Sequence, residues 1–185
     1  MSLIDNYLNQ VAQKKTSTLW TLYNGLSAAT LVLTGTVPAV TFRCKITLSA
    51  SDTHTDCAGT VMVNAETLTF TAAATKVTTT NLTALPTITT ANIDCNVKIT
   101  CIDTGGADIY SVTYTDFDCR WEDVQVAYVN SSGSWTQSNA KVIAKAAYVV
   151  NDTIRKYGTT TEYPIKKVMT GPNLSGTEEY RVFML

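Results

Sequence analysis

Apolar side chains recur at three- and four-residue steps near both ends of the chain and at two-residue steps through its middle. Ile4, Leu8 and Val11, then Leu19, Leu22 and Leu26, form a stripe that predicts an amphipathic helix over residues 2–23. Ser2 or Asp5 would cap its start, and Asn24-Gly25 would supply a left-handed stop. The polar break at Lys14-Lys15-Thr16-Ser17-Thr18 also allows two shorter helices.

From Val40 the period is two. Phe42, Cys44, Ile46 and Leu48 alternate with Arg43, Lys45, Thr47 and Ser49, which predicts a half-buried strand. Val61 and Val63, the turn Asn64-Ala65-Glu66, then Leu68 and Phe70 predict a hairpin. Alternation is looser over residues 76–85, and Pro86 marks an edge or a strand boundary. Ile93, Cys95, Val97, Ile99 and Cys101 give the cleanest alternation, followed by the Gly105-Gly106 turn. Residues 109–117 return, and residues 121–129 form a last strand before Ser131-Ser132-Gly133. Short strands, frequent turns and no intervening helix predict an antiparallel sandwich of roughly seven strands.

The period then lengthens again. Ser138 would cap a helix over 138–157, striped by Ile143, Ala147, Val150, Ile154 and Tyr157 and ended by Gly158. Two strands, over 159–165 and 178–185, complete the chain. The predicted fold class is mainly β. An immunoglobulin-like antiparallel β-sandwich over 39–137 follows an N-terminal helical segment and linker over 1–38. A C-terminal helix plus two-strand unit over 138–185 follows it. That last unit is too small to bury its own core comfortably. Its terminal strand, with apolar groups on both faces, would need a cover.

Composition agrees with a folded, strand-rich protein. Of 185 residues, 33 are threonine, which suits a half-exposed strand face, and charged residues are only 16%. The net charge of −1 divides as +1, −5 and +3 over the three predicted segments. That asymmetry can orient subunits in an assembly. It lacks the dense basic stripe of specific nucleic-acid binding. The apolar run from 28 to 40 is too short and interrupted to span a membrane, and no basic region precedes it as in a secretory leader. In so Thr-rich a chain, the N-x-Ser/Thr triplets at Asn81, Asn130, Asn151 and Asn173 are coincidental. Five cysteines, Cys44, Cys57, Cys95, Cys101 and Cys119, are an odd number, and without a leader they read as reduced, buried thiols. Cys44 and Cys95 could meet across a core, whereas Cys95 and Cys101 lie too far apart along one strand.

No catalytic constellation, metal site or cofactor is expected. The sole histidine, His54, sits in a Ser/Thr/Asp loop, and Cys57 and Cys44 near it lack the paired spacing of a zinc site. No Gly-rich loop precedes a helix. Asp103 and Asp108, with Asp116, Asp118, Glu122 and Asp123, could offer oxygens to calcium, although Asp also favours turns by bonding its own backbone. Trp20, Trp121 and Trp135 could form a sugar platform, or pack in a core.

Two stretches carry a resemblance. Residues 146–164, with the run Lys156-Tyr157-Gly158-Thr159, followed by a Gly/Pro loop and Tyr180-Arg181-Val182-Phe183, resemble small neck proteins of tailed bacteriophages, the head–tail connectors and head-closure adaptors. Residues 59–70 resemble the Thr-rich immunoglobulin-like modules of phage virion proteins. The resemblance implies a non-enzymatic virion subunit, a homo-oligomer that also contacts other virion proteins, with no membrane partner. It places the docking element at 166–185, with Tyr180, Val182, Phe183 and Leu185 as assembly-interface residues. The alternative is an immunoglobulin-like adhesion module recognising glycan or protein.

Overall fold

The computed structural model of the chain describes residues 7–27, 30–50, 57–91, 93–170 and 180–185. These residues are mainly β and their strand pairs are antiparallel; Tyr7 is the only one in helical conformation. In chain order the strands begin with β1 (Gln10–Leu19), β2 (Thr21–Leu26), β3 (Thr30–Leu31), β4 (Arg43–Ser49), β5 (Gly59–Val63) and β6 (Glu66–Phe70). Next come β7 (Thr75–Val77), β8 (Ile88–Ala91), β9 (Asn96–Ile102), β10 (Tyr110–Glu122), β11 (Ala127–Val129) and β12 (Trp135–Gln137). The last are β13 (Lys141–Ala144), β14 (Thr153–Lys156), β15 (Tyr163–Pro164), β16 (Lys167–Thr170) and β17 (Arg181–Met184).

The chain divides into two units. One comprises Met1–Ser17 with Val112–Leu185, and the other, Thr18–Ser111, is inserted between those two parts.

In the inserted unit, β2-β9-β4-β7 and β3-β8-β5-β6 form two four-stranded sheets. The pairs are nested: β5 with β6, β4 with β7, β3 with β8, and β2 with β9. The first strand of the unit therefore lies beside its last. Period-two patterning made these strands legible. Cys44, Ile46 and Leu48 stand opposite Cys101, Ile99 and Val97, all buried on one face. From the other sheet, Val61, Val63, Phe70 and Ile88 enter the same apolar cluster. The β5–β6 hairpin turns at Asn64, whose φ of 53° is left-handed and suits asparagine.

The other unit holds a sheet of order β15-β14-β1-β10-β13-β17-β16. Its two outermost strands are consecutive in sequence. Residues 163–164 pair with β14, and the Ile165 N–H donates to Asp152 O at 2.7 Å. The Lys166 N–H donates to Met184 O at 2.8 Å, and residues 167–170 pair with β17. One segment thus bonds both edges, and the sheet closes into a barrel. Closure removes the open edge that a sheet otherwise presents. Ala12, Trp121, Val142, Ile154, Ile165 and Phe183 are among the residues filling its interior.

Two expectations are corrected. Neither helix predicted over 2–23 and 138–157 forms among the described residues; residues 1–6 lie outside them. The first region forms β1 and β2, where the buried residue after Leu8 is Ala12, while Val11 and Leu26 of the predicted stripe are exposed. In the second region Ala140, Val142 and Ala144 are buried at period two, whereas Ala147, Val150 and Tyr157 of the stripe are exposed. Val142, Ile143, Thr153 and Ile154 are β-branched, and pairing on both sides outweighs a weak helical propensity. Ser138 caps no helix: its Oγ accepts from the Val126 N–H at 3.1 Å. Gly158 is left-handed as expected, at φ 76°, but it follows a strand.

Candidate functional site

The residues expected to form an assembly edge are divided by their strand. β17 is not an edge, because β13 pairs with it on one side and β16 on the other. Phe183 and Leu185 are fully buried in the barrel's own core, so they are not available to a partner. Phe183 stands opposite Val142 and Val168, and its ring lies 5.9 Å from that of Tyr148. Tyr180 and Val182 remain half-buried. The expected cover for this strand is the closed sheet itself. Much of the loop before it, residues 171–179, lies outside the described residues, as does His54.

Five of the six acidic side chains, all but Asp118, go to separate structural partners. Asp103 Oδ1 accepts from the Ala107 N–H at 2.8 Å, and Asp108 pairs with Lys45. Asp116 Oδ1 accepts from Gln13 Nε2 at 2.7 Å. Glu122 meets Lys141 at 2.6 Å, and the hydrogen bond from Lys141 holds its carboxyl below the usual range. Asp123 is lowered likewise by Lys156 at 3.0 Å and by the Trp121 indole N–H at 2.6 Å. Among the described residues, no group of three His, Cys, Asp or Glu side chains is placed to hold a metal.

Across β1, β10 and β14 of the barrel runs a polar belt. The Arg155 guanidinium carbon lies 3.4 Å from the Tyr114 ring centroid, and Arg155 Nε donates to Gln13 Oε1 at 2.8 Å. Lys15 donates to Glu162 at 2.7 Å, and the Tyr114 hydroxyl also donates to Glu162. These donors lower the Glu162 pKa, while the same bonds raise those of Lys15 and Tyr114. Each of the three charged groups, Lys15, Arg155 and Glu162, has a hydrogen-bond partner within the belt. Such an arrangement fixes strand register rather than presenting a reactive group.

The tryptophans do not make a single platform. Trp121 is in the barrel core, Trp20 is half-buried against the inserted unit's core, and Trp135 is 76% exposed. Trp135 stands on the separate hairpin β11–β12, opposite Val129. The hairpin is held rigidly. Asn130 Oδ1 accepts from the Ser132 and Ser134 N–H groups at 3.0 and 2.9 Å and from the Ser132 hydroxyl at 2.7 Å. Gly133 takes φ 81° in the turn. At the base, Lys167 Nζ donates to Val129 O at 2.9 Å, and buried Tyr128 lies beneath. A large, exposed indole on a preorganised hairpin can bind a partner at little ordering cost. Sequence reasoning found the turn and the tryptophan separately. The signal that joins them is the apolar pair on either side of Asn130-Ser131-Ser132-Gly133.

The inserted unit also carries a shallow groove of about 340 Å³, with Leu19, Lys45, Thr47, Thr75, Lys98 and Thr100 in its wall. No helix among the described residues is long and apolar enough to cross a membrane. Comparison with protein-family models, curated proteins and solved structures gives no match to this chain.

Proposed function

We propose that this chain is a non-enzymatic structural subunit of a phage virion, in the neck region between head and tail, assembling through contacts with copies of itself and other virion proteins. The observation that supports this best is the build of the chain: a closed barrel interrupted between Ser17 and Val112 by a double-sheet unit with nested strand pairs. We read that unit as a β-sandwich of jelly-roll order. An immunoglobulin-like sandwich sets its first strand beside its second, whereas here the first pairs with the last. Jelly rolls recur in viral capsid proteins and in lectins. Because a fold hosts many functions, the assignment rests on how its side chains are used. Buried polar groups hold backbone: Thr78 Oγ1 accepts from the Cys44 N–H at 3.0 Å, and Ser138 anchors β11 through Val126. The shifted carboxylates hold lysines or strand ends.

The second reading is a glycan-binding module, favoured by the exposed Trp135 and by the lectin use of jelly rolls. Native mass spectrometry with negative-stain microscopy tests the pair. Rings of fixed copy number support the virion subunit. A monomer at high concentration that gives a defined signal on a glycan array overturns it in favour of the second reading.

A further inference from the structure

All five cysteines are buried free thiols, and four of them lie in the inserted unit. Cys44 on β4 is directly opposite Cys101 on β9. The Cys44 N–H donates to Thr78 Oγ1 and its carbonyl accepts from the Thr78 N–H, both on the far side of β4. The Cys101 N–H donates to Trp20 O at 2.9 Å, and its carbonyl accepts from the Ile109 N–H at 3.2 Å, on the far side of β9. Neither residue bonds the other's backbone, so theirs is a non-hydrogen-bonded pair. Such pairs bring Cα atoms to about 4.5 Å with the side chains close together. That lies within the range of roughly 4.4–6.8 Å that a disulfide spans. Both side chains are fully buried on the same core-facing side.

The second pair joins the two sheets. Cys57 precedes β5 and Cys95 precedes β9, both are fully buried in one apolar cluster, and Ser49, whose carbonyl the Cys57 thiol meets, stands opposite Asn96, the residue after Cys95. Cys57 Sγ donates to Ser49 O at 3.0 Å, which fixes its rotamer. Cys119 is the only cysteine of the other unit.

We infer that the inserted unit accepts two disulfides, Cys44–Cys101 within one sheet and Cys57–Cys95 between the sheets, and that Cys119 is the thiol left over. Two pairs and Cys119 account for all five cysteines. The oxidant is a low-molecular-weight disulfide such as oxidised glutathione. For each bridge, the cysteine pair gives up two electrons and two protons, an S–S bond forms in the protein, and the glutathione disulfide is cleaved to two glutathione thiols. Thiolate is the attacking species. Burial pushes the Cys44, Cys95 and Cys101 thiols up to about 12, with Cys101 adding to the shift at Cys44 and Cys57 to that at Cys95. Exchange therefore runs through opened or unfolded chain, and the native core then retains the pairs that its geometry accommodates.

The experiment is to refold the full chain in a mixture of reduced and oxidised glutathione, quench with acid, denature, alkylate and map the peptides without reduction. The expected result is a loss of four thiols, with Cys119 alone alkylated and the 44–101 and 57–95 linkages recovered. Intact native protein placed in the same buffer should oxidise far more slowly than refolding chain. In Cys57→Ala, treated alike, the 44–101 bridge should persist and Cys95 should join Cys119 as a free thiol. Should that variant fail to fold, the wild-type peptide map decides alone. Five retained thiols, three retained thiols, a 44–95 or 57–101 linkage, or any bridge to Cys119 overturns the inference.

Discussion

Replacing Phe183 by alanine separates a core strand from a docking strand. Phe183 has no exposed surface, sits between Val142 and Val168 on the flanking strands, and lies beside Tyr148. Losing the burial of the ring alone removes about 1.5–3 kcal/mol. The flanking residues belong to strands of a closed sheet, so they cannot collapse freely into the space. The residual cavity brings the expected cost to about 3–5 kcal/mol. That is a large part of the roughly 5–15 kcal/mol that stabilises an ordinary domain. Hydrogen exchange read by mass spectrometry resolves the result by strand, which a single melting curve of a two-unit chain cannot do. Amides of β10, β13 and β17 should exchange much faster in Phe183→Ala, whereas β4 and β9, which belong to a separate core, should keep their protection. Val182→Ala is the control. Val182 is half-buried, and its replacement should cost under about 1 kcal/mol. Unchanged protection in β13, or a folded Phe183→Ala barrel that no longer self-associates, would refute the core placement and restore the docking strand.

Trp135→Ala should change stability by less than about 0.5 kcal/mol, because the indole is 76% exposed, yet it should weaken assembly; unaltered native mass spectra would remove the hairpin from the interface. Acid should loosen the barrel. Glu122, Asp123 and Glu162 are all held below their ordinary values, so their contribution is complete above the unfolded pKa of about 4 and drains away as pH falls through the folded values. Near-ultraviolet circular dichroism should stay constant down to that pH and decline below it; a decline beginning near neutrality would contradict the assignment. Gly158→Ala meets no atom within 4 Å but must hold φ 76°, so it should cost about 1 kcal/mol through backbone strain alone, measured by denaturant titration. A neutral result there would mean that the turn relaxes.

The middle of the chain was legible because one face of each strand there is buried and the other is wet. Phe42 through Leu48 and Val97 through Ile99 write their burial directly into the sequence as alternation, which ends where Thr100 is buried beside Cys101. The two predicted helices failed for an identifiable reason. Val11, Val150 and Tyr157 are exposed, so their three- and four-residue spacing records no shared buried face. Ala12, Ala140 and Ala144 are fully or almost fully buried, but as alanines they add little to a hydrophobic pattern. Small residues leave room for Trp121, Tyr148 and Phe183 inside a narrow barrel, and that exchange of large for small hides the period. The resulting stripe was an accident of which positions carried large side chains.

Closure also explains why the candidate interface could not be placed from the terminal strand's composition. Apolar groups on both faces of residues 180–185 were a true signal that something must cover them, and sequence alone cannot say whether the cover comes from the same chain. The deciding contacts are Lys166 N–H to Met184 O and Ile165 N–H to Asp152 O, two adjacent amides pointing to opposite strands. A segment that switches partner between neighbouring residues joins both edges of the sheet. With β13 and β16 paired on its two sides, the terminal strand offers no site for strand addition. Among the described residues of that unit, the most exposed large apolar side chain is Trp135, at 76%. The same closure that removes the terminal strand from consideration therefore moves the search for an interface to β11–β12, where a rigid turn holds the indole away from the core.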